Sequence, residues 1–274
     1  MCVAEVRDTG FVQRLGLLAF LLFGCLAVVP ATALAQDADT AAANATVAAS
    51  IPSAPLPPMT PDPTFKPTDR LVRVARLVTK VGVYKQPGAI SATKVIAPWI
   101  ASTGNPVVLT ITERVVDPTG AGWLKVLLPS RPNGSTGWIR ESNTIVSVDT
   151  TRVVISLKRH TLTVFRKGRV IRRVGVALGA PSTPTPRGTF AIYQKVREPA
   201  YSPLGPWALH LTAHSNVLFE FAGGPGRVAI HGARGELWAE AGTNPSHGCI
   251  RVPDPGIGKI AALVRPGTPV KIVA

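Results

Sequence analysis

From Thr150 onward, apolar and polar residues alternate in runs of the length expected for half-buried strands. Arg152 to Ser156, Thr161 to Phe165 and Arg169 to Leu178 are three such runs, with Arg166-Lys167-Gly168 turning between the last two. Gly188 to Val196, Trp207 to Thr212, Val217 to Phe221 and Arg227 to His231 continue the series. One stretch changes to a helical period. Asp254 is expected as its N-cap and Pro255 as its first helical residue, and Ile257, Ile260, Ala261 and Val264 share a face. Pro266-Gly267 ends this helix, and Val270 to Val273 reads as a closing strand. Between about Leu71 and Val148 the β-prone runs are shorter: Val107 to Ile111, Trp123 to Leu128 and Gly137 to Ile139. Asn133-Gly134 marks a tight turn between the last two. The pattern predicts a mainly β chain with one short helix.

The remaining pattern lies at the N-terminus. Arg14 precedes an apolar run from Leu15 to Val29, and Ala33-Leu34-Ala35 follows. The run is short for a membrane span, which takes about 20 residues. With its basic flank and small-residue site it predicts a secretory signal peptide over 1–35, cleaved before Gln36. Leu22-Phe23-Gly24-Cys25 also loosely resembles a lipoprotein processing site. Residues 36–70 are rich in Ala, Pro and Thr and read as an extended linker that buries no core. Two modules are expected beyond it, 71–148 and 150–274. Charge sharpens the picture, since 30 Lys and Arg against 15 Asp and Glu give a net charge of +15. In an exported chain that excess suits an anionic cell-wall surface. No zinc-finger spacing or basic groove-reading helix points to nucleic acid.

Cysteine usage then isolates one residue. Of 3 cysteines, Cys2 and Cys25 lie in the signal segment, leaving Cys249 with no partner for an internal disulfide. Such a thiol is either reactive or a buried, inert core residue. Its neighbours favour reactivity, because an imidazole can manage the proton of a thiol whose unperturbed pKa is about 8.5. His247 stands two residues before Cys249, but Gly248 permits a turn that separates their side chains. His231 ends an expected strand, a rigid place for a base, and is preferred. Gly248 also lets backbone N–H groups converge around a turn to form an oxyanion hole. A zinc site from His231, His247 and Cys249 lacks a clear fourth ligand or open-site signature, so no metal and no cofactor are expected. His210 and His214 read as structural or surface residues and His160 as a solvated turn residue. Trp123 and Trp138 read as core, and Glu236 and Glu240 as loop residues that could line the cleft.

Two resemblances follow from these motifs. Trp123, Arg131-Pro132-Asn133-Gly134 and Gly137-Trp138-Ile139 resemble a bacterial SH3-like small barrel, which implies a wall-binding module or a spacer. His231, 14 intervening residues, and Ser246-His247-Gly248-Cys249-Ile250-Arg251 resemble the signature of the L,D-transpeptidase catalytic domain. Thr185-Pro186-Arg187-Gly188-Thr189-Phe190 and Gly267-Thr268-Pro269-Val270 fit it too. The resemblance implies a β-sandwich-like catalytic fold in which Cys249 is the nucleophile and His231 the general base and acid, oriented by the Gly232 carbonyl. His247, Gly248 and Cys249 would supply oxyanion N–H groups and Ser246 would fix their loop. Arg251 would contact a substrate carboxylate or bond the loop, and Tyr201 would flank the site. The implied partners are peptidoglycan stem peptides: a tetrapeptide acyl donor, and an acceptor amine on the diamino acid of a second stem. The implied product is a 3→3 cross-link, and carbapenems would acylate the thiol. An L,D-carboxypeptidase on the same fold and a non-catalytic wall-binding protein are the competing readings.

Overall fold

Short alternating runs and frequent turns fold the described residues into two large β-sheets and a two-stranded ribbon. The structure, a computed structural model, describes residues 58–234 and 241–274. The expected signal peptide, Cys25 and the first part of the linker lie outside the described residues, as do Glu236 and Glu240. No described helix is long and apolar enough to cross a membrane.

The first sheet uses β1 (Thr60–Pro61), β2 (Val72–Leu77), β5 (Val108–Val116), β6 (Gly122–Leu127), β7 (Thr136–Arg140) and β8 (Thr144–Asp149). Its order is β7-β6-β5-β2-β8, with β1 also on β5, and β3 (Val81–Val83) and β4 (Lys94–Ile96) form a separate ribbon. Leu77, Leu109, Ile111, Leu124, Val126 and Ile139 fill its core. Trp123 is fully buried, its ring edge against Tyr84 at 5.3 Å and its Nε1 donating to Asp117 at 3.0 Å. This sheet begins earlier than the sequence pattern suggested. Thr60 and Pro61 pair with Val116 and Val115, and Arg114 bridges Asp62 at 3.2 Å and Glu141 at 2.8 Å. The last part of the expected linker is thus strand and turn, held by backbone and charge pairing and by Met59 and Phe65 packed on the neighbouring cores.

The second sheet has 8 strands in the order β11-β10-β9-β16-β12-β13-β14-β15. They are β9 (Thr151–Ser156), β10 (Thr161–Arg166), β11 (Arg169–Gly175), β12 (Gly188–Arg197), β13 (Trp207–His214), β14 (Arg227–His231), β15 (Ile250–Arg251) and β16 (Pro269–Val273). One buried cluster draws on both ends of that order, from Leu162 and Val164 in β10 to Ile250 in β15, so the sheet curls over its own core. The helix α1 (Asp254–Leu263) adds Ile257, Ile260 and Ala261 to this cluster. Asp254 is not its N-cap. Pro253 holds that position without a side-chain bond, and the Asp254 carboxylate instead accepts from the Ala233 N–H at 2.8 Å.

Val217 to Phe221, expected as a strand, lies in a loop between β13 and β14. Alternation misled there because Val217, Phe219 and Phe221 are 50%, 70% and 47% exposed and no neighbouring strand pairs with them. The Ser215 hydroxyl accepts from the Val217 and Leu218 N–H groups and closes a local turn instead.

The chain crosses between sheets at Asp149. Its carboxylate accepts from the Thr151 N–H at 2.8 Å and the Thr268 hydroxyl at 2.6 Å, beside Arg265 at 3.5 Å. Further bonds join the sheets, from Thr110 to the Gly267 carbonyl at 2.8 Å and from Gln194 to Thr103 at 2.8 Å. Tyr193 of β12 packs onto the core of the first sheet.

Candidate active site

The register of two short parallel strands brings the candidate residues together. Ile230 of β14 pairs with Ile250 of β15, and His231 with Arg251. The buried isoleucines anchor this pair in the core, and His231 and Cys249 each stand next in sequence to one of them, His231 at the end of β14 and Cys249 just before β15. They line a cavity of about 210 Å³ with Ser246, His247 and Arg251, and with Pro203, Leu204 and Phe221 from two flanking loops.

His231 is 5% exposed, and its Nδ1 bonds to the Gly232 carbonyl. A carbonyl only accepts, so Nδ1 carries the proton and Nε2 keeps its lone pair. Burial pulls the imidazole pKa down to about 4, partly opposed by the Gly232 bond and reinforced by the Arg251 charge. At neutral pH the ring is therefore uncharged. Gly232 is required for close approach: a Cβ there would stand 2.3 Å from the Asp254 carboxylate and 3.0 Å from the Gly205 Cα. Asp254, bonded to Ala233, thereby packs the backbone that orients the histidine. A helix cap was expected at Asp254 because a side chain reaching back across 21 residues leaves no local signal.

Cys249 is a free cysteine, partly open to the cavity. Burial pushes its thiol up, with a backbone bond to Ala229 and the Arg251 charge opposing. One physical cause, removal from water, disfavours both the thiolate and the imidazolium. The resting pair is thus neutral thiol and neutral imidazole.

Ser246 shapes the turn before the thiol. It is 1% exposed, and its hydroxyl donates to the Cys249 carbonyl at 2.6 Å while accepting from the Gly248 N–H at 3.1 Å. Its backbone is held by Leu178 and Ala180 at 3.0 and 2.8 Å, and the Thr183 hydroxyl adds a bond to its carbonyl at 3.2 Å. Gly248 turns at a φ of 112°, a conformation an L side chain rarely adopts. The Gly248 N–H, expected to face an oxyanion, instead donates to the Ser246 hydroxyl.

The other expectations divide. Arg251 lines the cavity. Tyr201 does not: it is 86% exposed and absent from the lining, where Pro203 and Leu204 of its loop stand instead. His247 is exposed and its ring lies 4.9 Å from Phe221 at an angle of 32°, a stack rather than a buried base. His214 is buried and His160 bonds Asn244 at 2.9 Å in the loop leading to Ser246, so neither is a simple surface residue. Phe221 and Leu204 were missed, since apolar loop residues carry no motif. Among the described residues, no group of three or more His, Cys, Asp or Glu is arranged to hold a metal.

A buried imidazole fixed by backbone thus lines one cavity with a free thiol, an arrangement suited to passing a proton between sulfur and ring nitrogen. Residues 150–272 match the family model of the L,D-transpeptidase catalytic domain, YkuD. The chain is 27% identical over 206 residues to L,D-transpeptidase 1 of Mycobacterium tuberculosis, covering 64% of this chain and 80% of that protein. It is 29% identical over 121 residues to the putative L,D-transpeptidase YkuD of Bacillus licheniformis, covering 44% of this chain and 64% of that one. The crystal structure of L,D-transpeptidase 3 from Mycobacterium tuberculosis with a faropenem-derived adduct aligns at 16% identity and a TM-score of 0.39, covering 73% of this chain and 98% of that chain. The sequence likeness over residues 150–272 is to acyltransferases of the L,D-transpeptidase type.

Proposed function

We propose that this protein is an exported cysteine L,D-transpeptidase that forms 3→3 peptidoglycan cross-links through a thioester on Cys249. The observation that carries the reading is that His231, at the end of β14, and Cys249, just before β15, line one cavity, with the His231 tautomer fixed by Gly232.

The chemistry follows from the neutral resting pair. The carbonyl of the third residue of a donor tetrapeptide sits against Cys249, and the His231 Nε2 takes the thiol proton as the S–C bond forms. The oxyanion is held by the His247 and Cys249 N–H groups. As the C–N bond breaks, His231 returns the proton to the departing D-Ala amine. The side-chain amine of a second stem then attacks the thioester, gives up a proton to His231, and the thiol leaves protonated. Arg251, at the cavity edge, is suited to a substrate carboxylate.

The first sheet is assigned as an SH3-like module that ties this domain to the wall. Export by the 1–35 segment, with the basic surface facing anionic polymers, completes the reading. No acidic residue interrupts the sequence between Asp149 and Glu198. Within that stretch a cavity of about 370 Å³ is lined by Lys158, Arg159 and Arg173. Incubation of the purified protein with tetrapeptide-bearing muropeptides tests the activity. Cross-linked 3→3 dimers are expected. Trimmed tripeptides without dimers would make it an L,D-carboxypeptidase, and unchanged substrate would contradict both.

A further inference from the structure

The loop between β13 and β14 supplies Phe221 to the cavity wall, yet little of its own sequence holds it there. Its apolar residues Val217, Phe219 and Phe221 are about half-exposed or more, so core burial does not anchor it. Its internal bonds are few: Ser215 N–H to the Gly226 carbonyl at 2.8 Å, the Ser215 hydroxyl turn, and the Phe221–Gly224 pair. What spans the loop comes from the first sheet.

Arg131, on the turn between β6 and β7, donates to the carbonyls of Ser215 at 2.5 Å, Leu218 at 2.9 Å and Pro225 at 3.1 Å. Its guanidinium also covers the Phe219 ring at 4.7 Å. One rigid fork therefore joins the start, middle and end of the loop. Asn133 fixes the adjoining end of β13. Its Oδ1 accepts from the His214 N–H at 2.8 Å, and its Nδ2 donates to the His214 carbonyl at 2.7 Å and to Asn216 at 2.9 Å. The far end of the loop is tied again where Arg227 donates to the Pro129 carbonyl at 3.2 Å. The path then reaches the reactive turn, since Phe221 stacks on His247, two residues before Cys249.

We propose that Arg131 and Asn133 are positioning residues for the acylation site: through the 215–226 loop they hold Phe221 against His247 and so set the cavity wall beside Cys249. The first sheet is then a structural part of the catalytic site as well as a separate module. This rests on the cavity being an acylation site, but the brace itself is read without acylation.

Hydrogen exchange on the full chain is the first measurement. In Arg131→Ala, amides of 215–226 and of 246–249 exchange faster than in the wild type, while those of β12 do not. Asn133→Ala gives the same pattern at smaller amplitude, and serves where Arg131→Ala folds poorly. Unchanged exchange at 246–249 in both variants would overturn the brace. Acylation by imipenem, followed by intact mass, is the second. Arg131→Ala and Phe221→Ala each slow it about tenfold, and the double variant is no slower than either, because both remove the same wall. Multiplying effects would overturn the coupling. A wild-type protein that takes up no imipenem would contradict the proposed function, while the exchange result would still decide the brace.

Discussion

The floor of the cavity comes from β14, β15 and the Ser246–Cys249 turn, whereas its rim comes from two loops that carry Leu204 and Phe221. The floor is held by buried isoleucines, a strand ladder and a serine hydroxyl used as both donor and acceptor. Of the rim, the Phe221 loop is held above all by Arg131 from the first sheet, while the Leu204 loop closes on its own Ser202. The difference teaches that proton chemistry is placed on the part of the site with least freedom. Shape, which under the proposed function admits and releases a peptide, is placed on the part with most. Loss of a floor residue should therefore remove chemistry, and loss of a rim residue should alter fit.

The largest effect is expected at His231. His231→Ala should slow acylation by roughly 10²–10⁴-fold, the usual worth of a positioned acid–base group, in a stopped-flow or mass-resolved assay. A small loss would shift the base role to His247 and erase the distinction between floor and rim.

Ser246→Ala comes next. It leaves the Gly248 N–H without its acceptor and frees the turn, and is expected to slow acylation about tenfold. It should also cost about 1–3 kcal/mol of stability in urea unfolding, as for a buried polar group left unpaired. Rescue by Ser246→Thr, which restores the hydroxyl, would separate the bond from simple packing.

Acidity probes the same floor. Both His231 and His214 have pKa values depressed to about 4 from 6.5, chiefly by burial. The unfolded chain thus binds protons first on acidification. Stability from each histidine is fully present above about pH 6.5 and is lost as pH falls toward 4, with a slope approaching 1.4 kcal/mol per pH unit. Urea unfolding between pH 7 and 4.5 checks this. The acylation rate should stay level through pH 6 and fall only near 4. An inflection near 6.5 would mark an unperturbed imidazole and count against His231 as the base. The smallest effect belongs outside the cavity: Tyr201→Ala should change acylation by less than about twofold.

How much of this was legible in the sequence follows the same division. The floor was readable because its chemistry needs particular residue types at fixed separations: a thiol, a strand-ending histidine, a glycine turn and a serine. What the residues could not disclose was which donors were already engaged. The Gly248 N–H was expected to face the oxyanion, but only folding brings it onto Ser246. The rim was nearly invisible. The alternation of Val217, Phe219 and Phe221 suggested a strand, since periodicity reports side-chain direction but not whether a partner strand exists. Arg131 was noted within a turn motif, yet its partners lie 84 or more positions away. Asp254 likewise read as a cap and serves instead to pack the backbone behind His231.

The central claim is that Cys249 forms the covalent bond. Intact-mass measurement of the full protein after incubation with imipenem, followed by peptide mapping, tests it most directly. One adduct per chain, located on Cys249 and lost in Cys249→Ala, is the predicted result. No adduct on the wild type, or an undiminished adduct on Cys249→Ala, would contradict it.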